Sequence, residues 1–96
     1  MATNVDYLTY VLNLLRDIDG VTYRKMMGEY LLYKDGILFG GIYDNRFLVK
    51  KTKSLEGSSF REEIPYPGAK MMLLIDIESR IELEALIDSL VGDLSK

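Results

Sequence analysis

The chain has 96 residues, 48% of them hydrophobic, and a formal net charge of −3. That is enough for one domain with a single core, and it excludes a fibrous or disordered chain. With no Cys and no His, disulfides, thiolate catalysis, zinc centres and His-dependent triads fall away.

The start, MATNVDYL, lacks the basic and apolar regions of a signal peptide, and no apolar run approaches the roughly 18 residues of a membrane helix. A cytoplasmic protein without a membrane partner is expected. Charge is unevenly spread. Residues 1–21 sum to −2, 22–53 to +4, 54–75 to −1 and 76–96 to −4, which together give −3.

Residues 3–18 are predicted as a helix. Thr3 or Asn4 supplies the cap, Asp6 sits in the first turn, and Val5, Leu8, Leu12 and Leu15 form a stripe widened by Val11, Leu14 and Ile18. Gly20 is the expected C-cap glycine. Three strands follow at 27–33, 37–43 and 46–51, joined at Asp35-Gly36 and Asp44-Asn45. Asp-Gly between apolar runs marks a type I′ hairpin, in which both central residues take positive φ.

With two-residue loops, Leu32 pairs with Phe39, Tyr30 with Gly41, Phe47 with Ile42 and Val49 with Gly40. One face then carries Leu31, Tyr33, Leu38, Ile42, Phe47 and Val49 and is assigned to the helix-covered core. The other carries Tyr30, Leu32, Phe39, Tyr43, Leu48, Arg46 and Lys50 and is assigned to contact with a partner. A three-residue second turn would swap every residue of the third strand between these faces.

Residues 52–60 read as a connector with one helical turn. Glu62 to Tyr66 is a short extended piece that Pro65 confines to an edge or bulge. Pro67-Gly68 forms a type II turn, Met71 to Ile75 a buried strand, and Ser79 with Glu82 a capping box. The last helix runs to about Leu94, with Leu83, Leu86, Ile87, Leu90, Val91 and Leu94 inward. The expected architecture is α+β: helix, three-stranded antiparallel meander, connector, two strands and a C-terminal helix, with both helices on one sheet face.

Arg24-Lys25-Met26-Met27-Gly28-Glu29-Tyr30, followed by Leu32-Tyr33 and Asp35-Gly36, resembles the signature of the TfoX N-terminal domain family. Ile64-Pro65-Tyr66-Pro67-Gly68-Ala69-Lys70 is similar to the second half of its small stand-alone members. Met27 stands where Phe is usual and Leu31 where Gly is common. The family is named for regulators of natural competence, in which this domain precedes a second one. The resemblance implies a non-enzymatic regulatory module and offers no catalytic residues or cofactor.

The expected function is binding to a protein partner or to a second copy as a homodimer, through Arg24, Lys25, Tyr30, Tyr43, Arg46 and Lys50. The alternative is nucleic-acid binding by the basic stretch 46–53, where Arg46, Lys50, Lys51 and Lys53 lie beside Tyr43 and Phe47. Competing with both is the simpler reading, in which the aromatics pack and edge lysines keep sheets from joining. Glu62 and Glu63 diverge on a strand, and Glu29, Asp35 and Asp44 do not amount to a metal site.

Overall fold

The computed structural model describes residues 3–95. Helix α1 (Val5–Leu15) is followed by strands β1 (Val21–Met26), β2 (Glu29–Lys34), β3 (Ile37–Ile42) and β4 (Phe47–Val49). A 3-10 turn (Lys53–Leu55), β5 (Glu62–Glu63), β6 (Met72–Leu74) and helix α2 (Arg80–Leu94) complete the chain. The strands form one antiparallel sheet in the order β1-β2-β3-β4-β6-β5. The expected α+β order holds, with β1 as an additional strand. Its last five residues are all exposed, so this edge strand carries no alternation of buried and exposed positions for a sequence reading to detect.

Three tight turns build the meander, and each holds two successive residues at positive φ: Met27-Gly28 (52° and 84°), Asp35-Gly36 (51° and 82°) and Asp44-Asn45 (52° and 60°). These are the type I′ values that match strand twist. Gly, Asp and Asn tolerate them, whereas Met27 does so against the clash of its Cβ. The first strand of the expected meander therefore begins at Glu29, because Met27 and Gly28 are a turn.

Register holds as expected next to both aspartate turns, with Lys34 opposite Ile37, Tyr33 opposite Leu38, Ile42 opposite Phe47 and Gly40 opposite Val49. Between them, Leu32 pairs with Gly40 and Tyr30 with Ile42. Phe39 is thus the extra residue of a β-bulge, and it turns β2 over relative to the expectation. Tyr30 and Leu32 join the covered core; Leu31 and Tyr33 move to the open face. The expected contact surface of Tyr30, Leu32, Phe39 and Leu48 is corrected accordingly, since all four are at most 6% exposed.

The core lies between the sheet and the helices. Leu8, Val11, Leu15 and Ile18 meet Leu83, Ile87 and Leu90 over Tyr30, Leu32, Phe39, Ile42, Phe47, Val49, Leu73 and Ile75. Gly40 is a packing requirement there, because a Cβ on it would fall 2.4 Å from the Leu48 carbonyl oxygen and 3.0 Å from Val49 Cα. Asn4 caps α1 by accepting from the Asp6 N–H at 2.7 Å, and Ser79 caps α2 by accepting from Glu82 at 3.4 Å. Helix α1 ends earlier than expected, with Arg16 as C-cap. Gly20 instead turns the chain into β1, its carbonyl accepting from the Asp35 N–H at 2.9 Å. No helix among the described residues is long and apolar enough to cross a membrane.

Candidate binding groove on the open sheet face

The sheet face without helices is not flat. The segment 64–71 stands beside it as a wall, and the two enclose a groove of about 870 Å³. Leu31 and Leu38 contribute from the sheet, Met26 from the end of β1, and Pro65, Tyr66, Lys70, Met71 and Met72 from the wall side, with Lys50 and Lys51 also lining it. Met26, Tyr66 and Met71 are 46%, 57% and 44% exposed. Apolar side chains of that size normally go inside a small domain when packing allows.

One side chain ties the start of the wall to the meander. Arg46, at the foot of the third turn, donates from Nη1 to Glu63 Oε1 at 2.8 Å and to the Ile64 carbonyl at 3.0 Å. Its Nη2 donates to the Pro65 carbonyl at 3.2 Å and its Nε to the Tyr43 carbonyl at 3.2 Å. A planar fork of donors can satisfy carbonyls that face no strand partner. Beyond it, the expected Pro67-Gly68 turn closes with an Ala69 N–H to Tyr66 carbonyl bond of 3.1 Å and Gly68 at φ +88°.

Tyr43 shapes the inner end of the groove. A Cβ on Gly41 would lie 2.6 Å from Tyr43 Cε2, so the phenol ring fills the space that the glycine leaves. Its centroid is 6.1 Å from that of Tyr66. Burial, followed by the charges of Tyr66 and Glu29, raises the Tyr43 hydroxyl above its ordinary pKa. The ring is a neutral packing element at neutral pH.

The six residues expected at the site separate. Tyr43 and Lys50 line the groove. Arg46 positions its wall. Arg24 is exposed on β1 opposite Leu31, on the groove side, whereas Lys25 is opposite Tyr30 and belongs to the other side of the sheet. Tyr30 is buried, its ring edge-on to Tyr23 at 5.9 Å, and is unavailable to a partner.

Sequence reasoning missed Met26, Tyr66, Lys70 and Met71. Met26 lies in the first stretch of the resemblance, and Tyr66 and Lys70 lie in the second, where Pro65 and Pro67-Gly68 signal only an edge strand and a turn. Met71, expected within a buried strand, is 44% exposed. The basic stretch 46–53 does not act as a unit. Arg46 is engaged with Glu63, and Lys51 Nζ pairs with Glu62 at 3.1 Å. Lys50 and Lys70 have no ion pair among the described residues. No group of three His, Cys, Asp or Glu residues able to hold a metal occurs among them either.

A protein of Spirochaeta aurantia, described as an uncharacterised 12.7 kDa protein in the trpE 5′ region, is 42% identical over 74 residues. The match takes in 73% of this chain and 63% of that relative, so the chain spans less than two thirds of the relative's length. No family model matches the chain, and no solved structure matches it.

Proposed function

We propose that this chain is a non-enzymatic regulatory module of the TfoX N-terminal type that binds a protein partner through the groove on its open sheet face. One observation carries the reading: the two stretches that bear the family resemblance meet at this groove. Met26 comes from the first, and Pro65, Tyr66 and Lys70 from the second. A motif needed only for the core has no reason to leave Met26 and Tyr66 about half exposed around one cavity. The regulatory setting, in transcription or competence, follows from the resemblance.

The groove chemistry supports binding over reaction. Its lining has lysines, tyrosines and methionines but no carboxylate. Burial raises the Tyr43 hydroxyl further from neutrality, opposite to the tuning a general base requires. The nucleic-acid alternative is weakened by the engagement of Arg46 and Lys51 and by the burial of Tyr43, which leaves Tyr66 as the half-exposed ring of the lining.

The test is affinity capture from the source organism with three baits: the wild type, the double variant Tyr66→Glu/Met71→Glu, and Ile81→Glu. Ile81 is 83% exposed on α2 and serves as a control on the helical side. A protein retained by the wild type and by Ile81→Glu but lost from the groove variant supports the reading. Retention by all three baits, or capture of nuclease-sensitive material only, overturns it.

A further inference from the structure

We infer that the groove takes an acidic segment of the partner that inserts one large apolar side chain between Met26, Tyr66 and Met71. This rests on the reading of the open face as a protein-docking surface and specifies the chemistry of what docks.

Charge complementarity is the first reason. The chain as a whole is negative, yet the groove lining contains Lys50, Lys51 and Lys70 with no Asp or Glu. Lys51 is balanced by Glu62 at 3.1 Å. Lys50 and Lys70 are unpaired among the described residues, and Arg24, on the same side of the sheet by its register opposite Leu31, is unpaired as well. Cations left without partners beside an apolar surface complement carboxylates that arrive with apolar neighbours.

The apolar component is the second reason. Met26, Met71 and Met72 border a floor of Leu31 and Leu38. Methionine side chains are unbranched and polarisable and adjust to an incoming aromatic or leucine. A single nucleic-acid strand wants successive exposed rings for its bases, whereas the ring of Tyr43 is spent covering Gly41.

A second copy of the chain is the third occupant to weigh. Its acidic surface is the α2 region, where residues 76–96 sum to −4, and α2 lies across the sheet from the groove. Joining groove to helix would therefore pair two different surfaces and propagate as a chain of molecules instead of closing as a dimer.

The experiment uses fluorescence anisotropy with short labelled probes: a glutamate-rich peptide with one central Phe, the same peptide with Ala for Phe, a lysine-rich peptide with Phe, and oligo-dT. The Glu/Phe peptide is expected to bind, to weaken with rising salt, and to lose about tenfold or more in affinity with Lys50→Glu and again with Lys70→Glu. The Ile81→Glu control should bind as the wild type does. Lys70 is exposed and Lys50 partly exposed, and circular dichroism verifies that the variants fold.

Equal binding of the Ala peptide overturns the apolar anchor, and tighter binding of oligo-dT overturns the protein segment. A mass that rises with concentration in light scattering, abolished by Lys50→Glu, makes the occupant a second copy and overturns the inference. Absence of any binding by the Glu/Phe peptide overturns the acidic class. The capture experiment with Tyr66→Glu/Met71→Glu decides separately whether the groove binds a protein at all.

Discussion

Replacing Arg46 by Met removes the fork that holds the groove wall while keeping much of the side chain's apolar length. Four hydrogen bonds are lost, one of them to the Glu63 carboxylate at 2.8 Å. A buried hydrogen bond to a charged group contributes about 1.5–3 kcal/mol. The Arg46 and Glu63 side chains are 25% and 23% exposed, so water screens the pair and replaces part of what is lost. A net cost of about 2–3 kcal/mol follows for the set. A domain of this length has a stability of roughly 5–14 kcal/mol in all.

The melting temperature should fall by roughly 10–20 °C, at about 4–8 °C for each kcal/mol. Arg46→Lys should recover less than half of the loss, because an ammonium group cannot reproduce the fork. The distinguishing readout is local: amide exchange should accelerate in β5 and β6 and in the wall more than in β2 and β3. A double-mutant cycle with Glu63→Gln should return a coupling of about 1 kcal/mol. A loss below about 0.5 kcal/mol with unchanged exchange in β5 and β6 would refute the assignment of Arg46 as the residue that positions the wall.

Gly40→Ala should destabilise by at least about 2 kcal/mol in urea denaturation, because its Cβ meets the Leu48 and Val49 backbone, which cannot rotate away. Met27→Asn should stabilise by about 1 kcal/mol, since Asn tolerates φ +52° and the Met side chain is 95% exposed and gives up no burial. Stability should also fall in alkali. Burial raises the Tyr7 and Tyr43 hydroxyls in the folded state, so the folded chain keeps protons that the unfolded chain releases near pH 10. Their contribution is complete below about pH 10 and is lost as pH rises through the folded-state values. Denaturation followed across that range should show a shallower decline for Tyr43→Phe than for the wild type.

Most of the fold was legible because its signals are local. The aspartate turns, the Ser79 cap and the helical stripes each depend on residues within a few positions of one another, and they appear where the sequence places them except at Val5, which is 64% exposed at the first turn of α1. The face assignment of β2 was not legible, because Phe39 as an extra residue is a property of two strands together. Phe39 looks like any other alternating apolar residue until its partner strand is known. The groove was half legible for a related reason. Tyr43 and Lys50 follow from the meander, but Met26 and Tyr66 come together only once β6 has inserted between β4 and β5. Arg46 reads from sequence as a free cation, and the Ile64 and Pro65 carbonyls that occupy it lie 18 and 19 positions further along.

The bulge at Phe39 makes the middle of this chain sensitive to length more than to identity. Deleting Phe39 would close the ladder with Leu32 still opposite Gly40 and Tyr30 opposite Ile42, at the cost of a fully buried ring. Deleting one residue of β2 between Tyr30 and Tyr33 would instead slip the strand by one and turn Tyr30 out of the core. Exchanging Phe39 for another large apolar residue would do none of this. Insertions and deletions should therefore be excluded from residues 29–49 in any chain that shares this fold, even where the residues themselves have drifted. The 52–60 connector and the tip of the wall at Pro67-Gly68 lie outside the ladders and the Arg46 fork and should tolerate changes in length better. Variation in groove shape among such chains should arise there, on a sheet whose residue count stays constant.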